Sequence, residues 1–353
     1  MRIFRRRPSR NDPLPKRSGA AACNDAYAPA LRSEDGPARR RASTCGAATA
    51  RNRLIVAAAT ALCLAWSTTP QADVVPQVAA LLRDTRLNEI SGMALSARTP
   101  QRLWVHNDSG APAELFAIGL DGKVQARLRL SAPKPVDWED MAAFTLDGKP
   151  YLLLADTGDN GGVRKRSELL VVEEPDFAAG TEERQLSAAP AWRIVFRYAD
   201  APHDVEAVAV DTASEAVLLL TKRTTPPQLW SVPLRPGAQQ EHVATLLGNV
   251  AVPDETAPAT DFQRRLQPGR PTAASLGRDG RSIAVLSYAS VWLYRRDDGE
   301  SWAQALARTP QVFPLGLLVQ AEALALDTAG RCILVTGERW PAPLLRIELS
   351  DKP

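Results

Sequence analysis

A short motif that recurs five times constrains the fold of this chain more than any other feature. Each copy is a strand-like stretch in which small and large residues alternate: SGMAL from Ser91, EDMAA from Glu139, EAVAV from Glu206, TAASL from Thr272 and EALAL from Glu322. A turn and a second apolar run follow each copy, and then a third apolar run. Repeats of this kind, 48 to 67 residues apart, are typical of the four-stranded blades of a β-propeller.

The pattern predicts an all-β chain with a single β-propeller of five four-stranded antiparallel blades. Small residues at the second and fourth positions of the motif, with Asp140 as the one exception, suit an innermost strand, where several sheets converge on an axis. The last repeat lacks a fourth strand, and VVPQVAALL near residue 75 can supply it. A sixth blade would have to lie in the inserts at 176–191 or 252–270, which are rich in Pro and polar residues and which we interpret as loops. Residues 301–308 are expected to form one short helix.

The first 72 residues differ in composition from the rest. Residues 1–53 contain 13 Lys or Arg and 4 Asp or Glu, which leaves 30 basic and 36 acidic residues and a net charge of −6 for the remainder. An acidic body argues against nucleic-acid binding, which needs a basic face. Residues 51–72 begin with RNR and an apolar run of about 13 residues, a pattern typical of a secretory signal and too short for a comfortable membrane span.

We therefore expect three segments: a disordered leader, or sequence upstream of the true start, at 1–50; a signal peptide at 51–72; and the propeller at 73–353. The protein would then be periplasmic or secreted, with no stable membrane span after cleavage. Of four cysteines, only Cys332 lies beyond the predicted signal, so the mature chain can form no internal disulfide and has no cysteine pair for zinc.

Polar residues fall at equivalent positions of the repeats. In an antiparallel meander, the start of the first strand and the end of the second lie at the same edge of the sheet. A ring of such sheets would therefore gather these residues on one face: Ser91, Glu139, Glu206, Thr272 and Glu322, then His106, Asn107, Asp108, Asp156, Asp159, Asn160, Lys222, Arg223, Ser287, Tyr288, Glu338 and Arg339. Asp137, His203 and Asp204 precede first strands and join the same rim.

Two interpretations of the three glutamates stay open. They can be structural acids that accept hydrogen bonds from neighbouring blades. Alternatively, Glu139, Glu206 and Glu322, with Asp156, Asp159 and Asn160 of the loop DTGDNGG, can form an oxygen-rich site for a hard cation such as calcium. A solvated turn explains that loop about as well.

The remaining rim residues are candidates for ligand binding. This set comprises His106, Asn107, Asp108, Lys222, Arg223, Tyr288, Glu338 and Arg339. Lys222 and Arg223 beside the acids would suit a small anionic ligand held partly through a metal, whereas simple ion pairing across the face is the plainer alternative. No serine or zinc hydrolase motif accompanies the histidines: GxSxG and HExxH are both absent.

The order of these motifs resembles that of a group of exported bacterial β-propeller proteins of unknown function, described as WD40-like. The shared elements are DWEDMA, DTGDN, HDVEAVAVD with LTKR, DGRSIAVLSYASVWLYRR and QAEALALD, from about Leu87 to the end. The stretch SGMALSARTPQRLWVHNDSGAPAELFAIGLDGKV is more distantly similar to the opening blade of SdiA-regulated and phytase-like propellers. Resemblance to the phytases implies metal-binding roles for Glu139, Glu206, Glu322, Asp156 and Asp159, and phosphate-binding roles for Lys222 and Arg223.

The sequence leaves two candidate functions. The first is a non-catalytic exported propeller that binds a ligand or a protein partner at the acid-rich mouth of its channel, with calcium as the candidate cofactor. The second is a metal-dependent phosphoesterase that uses the same mouth. The phytase DDPA-type opening is missing, and five apparent blades stand where those enzymes have six. Fold alone does not decide between binding and catalysis.

Overall fold

The structure, a computed structural model, describes residues 74–253, 269–316, 318, 320–328 and 330–349. The predicted leader, the predicted signal peptide and most of the second insert lie outside these residues. Within them, no helix combines the length and apolar character needed to cross a membrane.

Twenty-two strands and one short helix make up the described part of the chain. The first strand, β1, is Gln77–Leu82. Blade 1 contains β2 (Ile90–Leu95), β3 (Arg102–Asn107), β4 (Glu114–Gly119) and β5 (Val124–Leu130). Blade 2 contains β6 (Trp138–Leu146), β7 (Lys149–Asp156) and β8 (Ser167–Glu173), then, after β9 (Arg184–Ala188), β10 (Trp192–Arg197).

The remaining blades follow in chain order. Blade 3 contains β11 (Val205–Asp211), β12 (Ala216–Thr221), β13 (Gln228–Pro233) and, after β14 (His242–Val243), β15 (Thr245–Asn249). Blade 4 contains β16 (Ala273–Leu276), β17 (Ser282–Leu286), β18 (Ser290–Arg295) and, after α1 (Trp302–Leu306), β19 (Gln311–Pro314). Blade 5 contains β20 (Ala321–Leu326), β21 (Cys332–Gly337) and β22 (Ala342–Glu348).

These sheets confirm the predicted five-bladed propeller. The inner strand of each blade is one of the five repeated motifs, and the next two strands follow it in simple antiparallel order. β1 pairs antiparallel with β22 and supplies the fourth strand of blade 5, as expected from the incomplete last repeat. The predicted short helix at 301–308 is α1, which begins with a capping box between Ser301 and Gln304.

The interpretation of the first insert as a loop is wrong in part. Residues 184–188 form β9, which adds a fifth strand to blade 1 by pairing in parallel with β5. β14 extends blade 2 in the same way beside β10. The insert therefore covers the outer edge of a blade and does not build a sixth one, since an added edge strand satisfies backbone groups that would otherwise face solvent.

Neighbouring blades interlock through the alternating residues of their inner strands. The described residues form five apolar clusters, each drawn from two adjacent blades. Met141 of blade 2 packs in the same cluster as the small Ala94 of blade 1, and Met93 of blade 1 packs in the same cluster as Ala325 of blade 5. Both methionines are fully buried or nearly so, and burial of each contributes about 1.5–3 kcal/mol. A large residue against a small one lets the inner strands approach the axis and closes the ring.

Candidate functional site

All five blades contribute side chains to a polar cavity at one end of the propeller axis. We call this cavity, of about 360 Å³, the mouth. Its lining residues are Asp108, Glu139, Asn160, Glu206, Lys222, Arg223, Arg270, Tyr288, Gln320, Glu322 and Glu338. The mouth thus collects the three equivalent glutamates together with most of the residues expected at this rim.

A bulge at the start of the inner strand directs each of these glutamates to the mouth. The pairing register of β6 with β7 shifts between Trp138 and Met141, next to Glu139. Similar shifts flank Glu206 in blade 3 and Glu322 in blade 5. A bulged residue has no direct partner in the ladder, so its side chain can turn away from the sheet. The bulges explain why acids occupy positions in otherwise apolar strands.

Asp140, the neighbour of Glu139 in the chain, links three blades through hydrogen bonds. Its carboxylate is fully buried and accepts hydrogen bonds from the backbone N–H of Met141 (2.8 Å), Val208 (2.8 Å) and Ala274 (2.9 Å). Burial raises the pKa of Asp140 well above its usual range, and these three N–H donors oppose that rise. Because the donors belong to the inner strands of blades 2, 3 and 4, the Asp140 side chain lies between these strands and joins them.

Two groups of three carboxylates meet at Glu139. In the first group, one oxygen each from Asp108, Asp137 and Glu139 lie within 4.8 Å of one another. In the second, oxygens of Glu139, Asp204 and Glu206 are equally close, and all three residues are buried. We call them the first and the second triad. Sets of carboxylate oxygens at such separations suit a hard divalent cation.

Glu139 is the buried member of the first triad. The residue is 5% exposed, and its backbone oxygen accepts a hydrogen bond from Ser91 Oγ (2.7 Å). No donor in the described ranges hydrogen-bonds to its carboxylate. Burial raises the pKa of Glu139 well above its usual range, and the charge of Glu206 raises it further. A buried carboxylate normally has a partner, so this one has free capacity for a ligand.

The loop that follows β7 leaves room for the first triad at one position. Gly158 has no Cβ, and a Cβ built there would lie 2.5 Å from Asp137 Oδ2 and still closer to Glu139 Oε1. Burial raises the pKa of Asp137 to about 6, with an added effect from Asp108. The glycine therefore permits two carboxylates to occupy one small volume despite their mutual repulsion.

Two of the three basic residues that line the mouth, Lys222 and Arg223, are already engaged in ion pairs. Lys222 Nζ contacts Glu206 Oε2 and lies 5.1 Å from the centroid of the Tyr288 ring. Arg223 donates through Nε to Asp204 Oδ2 at 2.5 Å and through Nη2 to Asn160 Oδ1. Because both side chains are paired with acids, Lys222 and Arg223 have less capacity to bind an anionic ligand than two unpaired basic residues would have.

The predicted metal residues of the loop DTGDNGG have other partners. Asp156 accepts hydrogen bonds from the N–H of Val136 (2.9 Å) and Asp137 (3.0 Å) and an ion pair from Arg164 (2.8 Å). The Asp159 carboxylate accepts from two N–H groups of the same loop, at 163 and 164. Neither side chain lines the mouth. The arrangement supports the turn interpretation for both aspartates, while Asn160 does reach the mouth.

Three of the candidate ligand-binding residues also lie away from the mouth lining. His106 is fully buried, with Nδ1 3.0 Å from the backbone oxygen of Asn107 and its ring edge-to-face with Trp138. Asn107 donates its side-chain amide to the backbone oxygen of Arg86 (2.6 Å). Arg339 Nε contacts Gln320 Oε1. Any binding role for these three residues stays a prediction without support from the lining.

Sequence reasoning missed the contribution of two aspartates to the triads. Asp137 and Asp204 were expected at the rim but not among the metal residues. The signal is present in the spacing, because each stands two residues before an inner-strand glutamate, in DWE and in DVE. Asp204 is also held in place by the loop after β7, since Asp159 N donates to its Oδ1 at 2.8 Å.

Comparison with known proteins adds little to this geometry. No protein-family model matches the sequence, and no curated protein matches it. One matching solved structure is a gluconolactonase from Xanthomonas campestris, with 15% sequence identity over 74% of this chain and 72% of that chain and a TM-score of 0.39. At that TM-score the likeness carries no argument about this chain. Membership in a family of exported propellers stays a prediction.

Proposed function

We propose that this protein binds a divalent cation, calcium being the best candidate, at the first triad, and that the bound cation helps the mouth hold an oxygen-rich ligand or a protein partner. The observation that carries the proposal is the carboxylate of Glu139, a residue that is only 5% exposed, which has no donor among the described residues. Asp108 and Asp137 stand beside it with oxygens within 4.8 Å. A cation in this position would relieve the repulsion among three acids.

The chemistry of the donor set favours calcium over softer metals. All ligands on offer are carboxylate oxygens, and no histidine or cysteine accompanies them in either triad. Calcium takes six to eight oxygen ligands, so three carboxylates would leave positions for a ligand that enters from the open side of the mouth. The triad has few protein ligands, which is typical of weak extracellular calcium sites. This property fits the export that the sequence predicts.

Binding is favoured over phosphoester hydrolysis by the state of Lys222 and Arg223, the residues to which the phytase resemblance assigns phosphate. A phosphoesterase of the kind considered above would need cationic side chains free to meet phosphate. Lys222 and Arg223 instead contact Glu206 and Asp204. No nucleophile with an adjacent base accompanies the triads in the described part of the mouth. Hydrolysis therefore stays the alternative that an assay must address.

The test of the proposal is calcium binding by the purified protein, measured by calorimetry and by thermal unfolding. We expect one calcium ion per chain and a rise in the unfolding temperature, because a ligand that binds only the folded state stabilises it. Glu139→Gln, which keeps the shape of the side chain, should abolish both effects. The matched control is Glu182→Gln at an exposed glutamate of the first insert, which should behave like the natural protein.

Two results would separate the candidates. If neither calcium nor another divalent cation binds the natural protein, the proposed function fails. Turnover of a panel of phosphoesters with calcium, lost with a chelator and lost in Glu139→Gln, would replace the binding function with the hydrolytic one. Calcium binding without turnover agrees with the proposal.

A further inference from the structure

The second triad already contains a cation supplied by the protein itself. Its members Glu139, Asp204 and Glu206 are all buried, as the carboxylate ligands of a buried metal site would be. The ammonium group of Lys222 contacts Glu206 Oε2 within this group. The first triad, in contrast, has no ion pair to any of its three carboxylates among the described residues.

Lys222 is held firmly in this position. The residue follows the last residue of β12, its backbone N–H donates to the Asp204 carbonyl (2.9 Å), and its side chain is 9% exposed. The ammonium group also lies over the ring of Tyr288, a contact that favours a cation. Burial alone would lower the pKa of Lys222, but Glu206 raises it above the usual lysine value. The side chain is therefore a permanent, tethered positive charge.

The charges of the two triads differ for this reason. Asp108, Asp137 and Glu139 together carry up to three negative charges with no paired base in the described residues. In the second triad, Lys222 and Arg223 offset the charges of Glu206 and Asp204. Glu139 alone belongs to both groups. A shared carboxylate is the arrangement that can bridge two divalent cations about 3.5–4 Å apart.

We propose that the second triad is a latent second site for a divalent cation and that Lys222 keeps it closed, so that the mouth takes one cation where its carboxylates could hold two. The inference rests on the proposed cation binding at the first triad. Lys222 would thereby determine the stoichiometry of the mouth, because its ammonium group occupies the place of the second ion. Its loss leaves Glu206 without its paired base, while Arg223 still contacts Asp204.

The experiment measures the number of calcium ions bound per chain by equilibrium dialysis and calorimetry. We expect one ion for the natural protein and two for Lys222→Met, which keeps the length of the side chain and removes its charge. Lys222→Arg, which keeps the charge, should bind one ion. Lys165→Met is the matched control, because this exposed lysine lies in the loop after β7 and its loss lowers the net charge equally; it should also bind one ion.

Two further variants keep the test decisive. Lys222→Gln carries the same prediction as Lys222→Met, in case the latter does not fold as judged by circular dichroism. Adding Glu206→Gln to whichever of them folds should return the number of bound ions from two to one, because the second triad then loses a carboxylate.

The outcomes separate this inference from the function on which it rests. One ion in the natural protein and one in a folded Lys222→Met variant would overturn the role of Lys222 and leave calcium binding intact. Two ions in the natural protein would also overturn it, since the second site would then be open. No ion in any variant would overturn both the inference and the proposed function.

Discussion

Replacement of Asp140 by alanine should destabilise the propeller by about 2–6 kcal/mol. The carboxylate of Asp140 accepts the backbone N–H of Val208 at 2.8 Å and of Ala274 at 2.9 Å, so it joins blade 2 to blades 3 and 4. Alanine leaves both N–H groups without an acceptor. An unsatisfied buried donor costs about 1–3 kcal/mol, and the range given is the cost of the two donors from other blades.

Two effects determine where in this range the value falls. The N–H of Met141 also loses its acceptor (2.8 Å), which increases the loss. Removal of a buried carboxyl group lowers the desolvation cost of the folded state, which decreases it. Asp140→Asn keeps one carbonyl oxygen as an acceptor, so we expect a smaller loss than for alanine.

The assay is equilibrium unfolding in urea, followed by circular dichroism and tryptophan fluorescence at neutral pH without added cation. Asp121→Ala is the matched control, because this aspartate is exposed and its contacts are local: it accepts the Lys123 N–H at 3.1 Å and forms an exposed ion pair with Lys123 Nζ at 3.3 Å. Its loss should cost less than about 1 kcal/mol. A loss for Asp140→Ala no greater than that of the control would refute the interpretation of Asp140 as the link between blades.

Three further predictions concern the mouth and the core. Gly158→Ala should weaken calcium binding by about 10-fold or more, because the added methyl group would displace Glu139 Oε1. Gly161→Ala in the same loop, where a Cβ would approach nothing closer than a Val163 methyl at 3.6 Å, should leave the affinity measured by calorimetry unchanged. Burial raises the pKa of Glu322 to about 7, so the folded state binds this proton more tightly than the unfolded state does. The Glu322 contribution to the free energy of unfolding of the cation-free protein should therefore fall by up to about 3 kcal/mol between pH 4.5 and 7. Glu322→Gln should remove this part of the pH dependence in urea unfolding, and an unchanged pH dependence would contradict the assignment. Burial also raises the pKa of Cys332 to about 11, so its thiol should react with a disulfide reagent only after unfolding, and rapid reaction of the native protein would show that this strand is accessible.

The blade pattern was predictable because strand periodicity and small residues are local properties of the sequence. An inner strand such as β11 must alternate, and the meander order then fixes which ends of its neighbours lie beside it. The position of Glu206 at the mouth follows from that order. Closure of blade 5 by β1 follows from counting strands. The last repeat supplies only three, and a blade without its fourth strand would expose an unpaired edge.

The parts that the sequence did not predict depend on partners distant in the chain. Asp156 and Asp159 have the composition of a calcium loop, but which groups their oxygens meet depends on how the loop folds. The order of strands in a ring of blades already places Lys222 near several acids. Its pairing with Glu206 depends on the bulge that directs this glutamate to the mouth, and the sequence does not reveal that bulge. Asp140 breaks the small-residue rule of the motif because it bonds to two other blades, which no single repeat reveals.

The parallel pairing of β9 and of β14 with blade edges was missed for a different reason. Both pair in parallel with the outer strand of a blade, at Arg184–Ala188 and His242–Val243. Short edge strands have weak intrinsic preference, and their pairing depends on the neighbouring surface more than on their own residues. The polar composition of the first insert therefore favoured a loop. His242 of β14 is buried, with Nε2 2.9 Å from the Pro236 carbonyl oxygen.

The most direct test of the account is an anomalous difference map from a crystal grown with calcium. We expect a single strong peak in the mouth, at about 2.3–2.6 Å from carboxylate oxygens of Asp108, Asp137 and Glu139. A peak at the loop aspartates Asp156 and Asp159, or no peak in the mouth of a calcium-saturated crystal, would contradict the assignment of the first triad as a cation site.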